Sequence, residues 1–175
     1  VPCNFIDTNI PYSEFRIQKT MNFFNYQRRK SSEVQIGGTP LGADNPSRVQ
    51  SMTTTATTDT EGSVAQARRI IEAGGEYVRL TTQGVREAEN LREINIGLRS
   101  QGINTPLVAD VHFNARVADV AALYAEKVRI NPGNFHKDHE KAREQFARLV
   151  EVCKEYGTAV RIGLNHGSLG DRITN

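Results

Sequence analysis

From residue 34 onward, short apolar runs alternate in strict order with longer segments that repeat an apolar residue every three or four positions. Val34-Gln35-Ile36 and Thr39-Pro40-Leu41, around Gly37-Gly38, predict a small β-hairpin or strand-turn. Residues 48–53 predict a strand. Thr58 and Glu61 have the spacing of a capping box, which predicts a helix running to Ile71 and stopped by Gly74-Gly75. A strand over 76–81 follows. Val85, Ala88, Leu91, Ile94 and Leu98 then form the apolar stripe of a second helix. Residues 106–111 predict a strand, 115–124 a short helix and 127–131 another strand. Phe146, Leu149, Val150 and Cys153 mark the inner face of a helix over about 138–156, and 158–164 predicts the last strand.

This alternation argues for an α/β fold whose parallel strands are joined by helices. An open doubly wound sheet and a (β/α)8 TIM barrel both fit it. Roughly five βα steps are present against the eight of a closed barrel, and the chain stops just after the turn Gly167-Ser168-Leu169-Gly170-Asp171. A barrel cut off partway explains this better than a finished five-stranded sheet. The expected organisation is a poorly determined arm over 1–25, then a partial TIM-barrel domain over 26–175 opening on the hairpin.

Composition narrows the function. With 22 basic and 20 acidic residues, the chain lacks the strongly basic field of a bulk-electrostatic nucleic-acid binder. No apolar run reaches the ~20 residues of a membrane helix. Cys3 and Cys153 provide neither a disulfide framework nor a Cys-x-x-Cys, so the expected setting is a reducing cytoplasm.

The chemistry is concentrated in a repeat. Val78-Arg79-Leu80, Val128-Arg129-Ile130 and Val160-Arg161-Ile162 each place an arginine between two branched apolar residues. Strand side chains alternate faces, so each apolar pair is expected on the helix side and each arginine on the other. The same alternation adds Thr81, Asn131, Gly163 and Asn165 to the arginine face. It also joins Asp110 to His112 on the face opposite Leu107, Ala109 and Val111. Polar groups near the carboxyl ends of successive strands are where barrel active sites are built.

Three guanidinium forks suit bidentate contact with phosphate or carboxylate. One Asp110 does not neutralise three arginines, so the expected missing charge is a bound phosphate or diphosphate. The competing expectation is that each arginine pairs with a glutamate from a neighbouring loop. Asn131-Pro132-Gly133-Asn134 and Asn165-His166-Gly167-Ser168 follow two of the arginine strands, where their glycines would let backbone N–H groups approach an anion. His112 suits either an acid–base role or a polar bridge to Asp110, and His166 suits ligand contact. His136 and His139 read as solvated, Cys153 as a core thiol and Arg99 as a surface arginine.

Five segments carry a family resemblance: 48–53 (RVQSMT), 74–81 (GGEYVRLT), 106–113 (PLVADVHF), 127–134 (KVRINPGN) and 161–169 (RIGLNHGSL). Together they resemble the 4-hydroxy-3-methylbut-2-enyl diphosphate synthases of the non-mevalonate isoprenoid pathway. Asn165-His166-Gly167 is similar to the larger, three-domain form. The resemblance implies an iron-sulfur oxidoreductase that reductively opens 2-C-methyl-D-erythritol 2,4-cyclodiphosphate with two electrons, taken from ferredoxin or flavodoxin, and that works as a homodimer. It implies substrate contacts at Arg79, His112, Arg129, Arg161 and Asn165, with Asp110, Asn131, His166 and Ser168 as neighbours. It also implies a [4Fe-4S] cluster held by three cysteines and a glutamate in a carboxyl-terminal domain, a motif this sequence does not match. No catalytic residue or metal ligand is therefore expected in this chain, which reads as an amino-terminal fragment. Two alternatives stand beside this reading. One is a phosphate-binding transferase barrel resembling dihydropteroate synthase, whose acidic and lysine set is not evident in the sequence. The other is an inactive truncated product.

Overall fold

A hairpin of β1 (Val34–Ile36) and β2 (Thr39–Leu41) comes first in the computed structural model, which describes residues 29–164. After it come β3 (Gln50–Met52), α1 (Thr60–Glu72), β4 (Tyr77–Thr81), α2 (Val85–Arg99), β5 (Leu107–Asp110), α3 (Ala115–Ala121), β6 (Lys127–Ile130), α4 (His139–Tyr156) and β7 (Ala159–Ile162). The 1–25 arm with Cys3, and the predicted turn at 165–171, lie outside the described residues.

The sheet order decides between the two architectures. β3, β4, β5, β6 and β7 lie side by side in chain order, and every pairing is parallel. A doubly wound sheet reverses its strand order at a switch point and covers both faces with helices. Here the order does not reverse. Val78, Leu80, Leu107, Ala109, Val128 and Ile130, all of one strand parity, pack into a single core with residues of all four helices. Among the described residues, Tyr77, Val108 and Ala159 of the other parity pack instead against the hairpin. It is the sheet of a TIM barrel, five strands of it.

That second face is closed at its lower end by the hairpin. Ile36 and Leu41 pack on Tyr77, Val108 and Ala159, and the Tyr77 hydroxyl donates to Thr39 O at 2.9 Å. Glu126 fastens the same end: it pairs with Arg99 at 2.6 Å and accepts from Leu107 N at 2.7 Å. Arg99 also donates to Ile103 O at 2.8 Å, so it is a structural tie rather than the free surface arginine the sequence suggested. A charged group bonded to Glu126, to Ile103 O and, at 3.4 Å, to Thr105 O is not interchangeable with its solvated neighbours.

Several expected details change. The cap of α1 is Asp59, whose carboxylate accepts from Gly62 N at 3.0 Å; Thr58 lies one position too early. Glu61 is then the second residue of the helix, so the expected capping box does not form. α3 ends at Ala121 because i→i+3 bonds, Leu123 N to Val120 O and Tyr124 N to Ala121 O, tighten the chain beyond it. On α4, Val152 rather than Val150 joins Phe146, Leu149 and Cys153 against the core. Ile162, expected on the covered face, is 53% exposed, because no described helix follows β7 to pack on it.

Candidate functional site

Alternation within the registered strands builds the open face row by row. Arg79 is level with Val108, which is level with Lys127 and then Ala159. One row nearer the carboxyl ends, Thr81, Asp110, Arg129 and Arg161 lie level with one another. Among the described residues, the charged strand residues of this face are therefore Arg79, Lys127, Arg129, Arg161 and Asp110, four cations to one carboxylate.

Asp110 is the hub. Its side chain is fully buried, and both oxygens are engaged. Arg79 Nη2 donates to Oδ2, and Arg129 Nη1 donates to Oδ1 at 3.3 Å. His112 Nε2 lies 3.7 Å from Oδ2, beyond hydrogen-bond length, with its ring 5.8 Å from that of Phe113. A carboxylate taken fully out of water is tolerated when cations and hydrogen bonds surround it. The sequence allowed each arginine its own loop glutamate. Instead two arginines share one aspartate, and Arg161 is exposed with no ion pair among the described residues. The site thus retains an excess of positive charge.

Two buried polar atoms of the open face have no partner: Arg79 Nε, a donor, and Asn131 Oδ1, an acceptor. Each unmet buried group costs about 1–3 kcal/mol, so a group that accepts from Arg79 Nε, or one that donates to Asn131 Oδ1, would recover free energy. Asn131 is 2% exposed and follows β6 directly. The next residues form a 3₁₀ turn, Pro132–Asn134, rather than an open glycine loop. Asn134 Nδ2 donates to His112 O at 3.1 Å, which ties the loop after β5 to the loop after β6 and fixes the backbone that carries His112.

Six of the sequence-predicted site residues therefore fall on one face or at its rim: Arg79, Asp110, His112, Arg129, Asn131 and Arg161. Asn165, His166 and Ser168 lie outside the described residues. His136 and His139 are exposed, and His136 Nδ1 only accepts from Asp138 N at 2.9 Å in a local turn. Cys153 is 4% exposed, and burial pushes its thiol up to about 11, which keeps it inert near neutral pH. A groove of ≈ 670 Å³ also exists, lined by Arg92, Ile96, Arg99, Tyr124 and Tyr156. It lies toward the amino ends of the strands, away from the rim where barrel chemistry is placed.

Sequence reasoning missed Lys127, although its spacing of two from Arg129 puts it on the same face. It is 6% exposed, and its ammonium sits 4.6 Å from the centre of the Tyr77 ring. Burial lowers its pKa from the usual 10.5, and the charges of Arg161 and Arg79 add to that lowering. The folded state therefore disfavours protonated Lys127. That cost is fully present below the lowered pKa and vanishes as pH rises past 10.5. In the absence of anions, Lys127→Met is expected to melt at or above the parent at pH 7, with an advantage that shrinks as pH is raised toward 10.5. Thermal melts across that range check this. An advantage that grows with pH contradicts it.

With the geometry in view, comparison with known proteins is specific. A family model described as the GcpE TIM-barrel domain matches residues 31–175. The 4-hydroxy-3-methylbut-2-en-1-yl diphosphate synthase (flavodoxin) of Phocaeicola vulgatus is 64% identical over 170 residues, covering 87% of this chain and 28% of that protein. The protein of the same name from Bacteroides fragilis is 62% identical, with 87% and 27% covered. That from Leptospira interrogans is 46% identical over 177 residues, with 92% and 26% covered. The chain thus spans little more than a quarter of the length of these relatives. A solved 7,8-dihydropteroate synthase from Vibrio fischeri ES114 is 14% identical with a TM-score of 0.43, covering 78% of this chain and 68% of that one, too loose a likeness to carry an argument.

Proposed function

Because this chain belongs to the GcpE TIM-barrel domain family, we propose that it is the substrate-binding barrel portion of a 4-hydroxy-3-methylbut-2-enyl diphosphate synthase. The whole enzyme would reductively open 2-C-methyl-D-erythritol 2,4-cyclodiphosphate in isoprenoid biosynthesis. The observation that supports this reading most is the imbalance around Asp110: Arg79 and Arg129 share one buried carboxylate while Arg161 and Lys127 have none among the described residues. A diphosphate supplies the charge that this face lacks.

In this reading the chain's own residues bind and orient. Asp110 holds the Arg79 and Arg129 forks in fixed planes, so little rotational freedom remains to be lost when phosphate oxygens arrive. Arg161, exposed on the same row, is free to close on the ligand. Asn131 Oδ1 accepts from a substrate hydroxyl. His112 stands at the rim, where it can donate to a ligand oxygen. Asn165, His166 and Ser168 join this set by motif position.

The iron-sulfur cluster that the resemblance implies does not fit the described residues. Cys153 is their free cysteine, buried and held as a thiol. They contain no group of three histidine, cysteine, aspartate or glutamate side chains able to hold a metal ion. Such a cluster requires thiolates, so we assign this portion substrate binding rather than electron transfer. Flavodoxin, which the names of the relatives carry, is the proposed electron donor, with ferredoxin as its substitute. A homodimer is the proposed assembly and the cytoplasm the proposed location. Among the described residues no helix is long and apolar enough to cross a membrane. The family match favours this reading over a dihydropteroate-synthase-like transferase.

The test is calorimetric titration of the complete protein with the cyclodiphosphate and, separately, with phosphate-free 2-C-methyl-D-erythritol. Saturable binding of the first that weakens with added salt, and none of the second, is expected. Equal binding of both, or of neither, contradicts the proposal.

A further inference from the structure

Gly163 follows β7 and continues its pairing with β6: its N–H donates to Ile130 O at 2.8 Å. Counting on from Arg129 opposite Arg161 and Ile130 opposite Ile162 puts it level with Asn131, on the open face. A side chain at this place would enter the site. None is there, and the space is already filled. A Cβ on Gly163 would stand 2.6 Å from Arg129 Nε, 2.9 Å from Nη2 and 3.1 Å from Cζ. The guanidinium of the neighbouring strand presents its Nε–Nη2 edge to this stretch of backbone.

We propose that Gly163 is the positioning residue for Arg129, with the bare backbone of β7 forming one wall of the slot that aims the guanidinium at a bound phosphate. Asp110 forms the other wall, through Oδ1 at 3.3 Å from Nη1. Between them the fork has one orientation, with Nε and Nη2 facing β7 and Nη1 facing the carboxylate. The inference rests on the reading of this face as an anion site and adds to it a residue with no polar side chain.

Physical chemistry separates this role from a merely structural one. Gly163 is not among the described residues with positive φ, so alanine meets no backbone strain at this position. The atoms in its way belong to the far end of a long side chain rather than to backbone. The fold therefore absorbs Gly163→Ala by moving the guanidinium, and the loss falls on binding. Its size follows the usual coupling between residues in contact, about 10-fold in affinity.

The experiment titrates 2-C-methyl-D-erythritol 2,4-cyclodiphosphate into the complete protein as parent, Gly163→Ala, Arg129→Ala and the double variant, with melting curves and crystal structures of the first two. Four results are expected. Gly163→Ala keeps the parental melt, its affinity falls about 10-fold, its Arg129 guanidinium is displaced, and the substitution costs nothing further once Arg129 is absent. Parental affinity in Gly163→Ala, or an equal additional loss in the Arg129→Ala background, overturns the proposal. Should the parent fail to bind the cyclodiphosphate, the functional reading falls by itself. The crystal structure then still decides on Gly163: a displaced guanidinium sustains the positioning role and an unmoved one overturns it.

Discussion

Arg129→Ala in the complete protein is expected to weaken cyclodiphosphate binding by about 2–5 kcal/mol, the loss typical of removing one member of a buried charge pair. Arg129 is 17% exposed, is held at Asp110 and lies against Gly163, so its fork is fixed before any ligand arrives. Removing it deletes both a charge-assisted contact and the neighbour that keeps the Asp110 carboxylate satisfied. Arg143→Ala is the control. This residue is exposed on α4 and should leave affinity unchanged. Arg99 is unsuitable because its bonds to Glu126 and Ile103 would disturb the barrel's lower end. Titration of the folded variants is the measurement, and parental affinity in Arg129→Ala removes that arginine from the site.

The second large effect concerns stability. Asp110→Ala is expected to destabilise the protein by about 3–5 kcal/mol, because it leaves two partly buried guanidinium groups without their shared counter-ion. The deficit should be partly restored by pyrophosphate, which binds the folded state and supplies the missing charge. Denaturant melts with and without 10 mM-order pyrophosphate, about 100-fold above a weak dissociation constant, separate the possibilities. A variant as stable as the parent would mean that Asp110 does not organise the cluster.

Most of the chain's architecture was legible because the alternation between periods of two and of three to four is strong. The face assignment of Arg79 and Arg129 followed directly from the branched residues flanking them, since Val78, Leu80, Val128 and Ile130 are all fully buried on the helix side. The same triplet in β7 behaves differently. Val160-Arg161-Ile162 carries the pattern of β6, yet Ile162 and Arg161 are exposed, because β7 has a neighbour on one side only among the described strands. Pattern reports which face a residue points to, and the surroundings of that face report whether it is covered.

Other misses have equally local causes. Thr58 and Asp59 are both good caps one residue apart, and only backbone geometry selects the carboxylate that reaches Gly62 N. The sharing of one aspartate between two arginines depends on strand register, which a sequence does not state. Lys127 is hard to place from sequence because it begins its strand, where a lysine ordinarily reaches solvent. The hairpin and Tyr77 close that end and leave its amine over an aromatic ring. The barrel differs from a doubly wound sheet in the unreversed order of its five described strands and in the helices packed against one strand parity, neither of which a sequence states.

In the proposed site the cations gathered around Asp110 seat a diphosphate. A crystal structure of the complete protein with bound 2-C-methyl-D-erythritol 2,4-cyclodiphosphate tests it most directly. The expected result places phosphate oxygens at hydrogen-bond distance, about 2.7–3.2 Å, from the guanidinium groups of Arg129 and Arg161, with Asp110 still bridging Arg79 and Arg129. A diphosphate seated elsewhere, with Arg161 and Lys127 neutralised by carboxylates of the protein itself, would overturn this assignment.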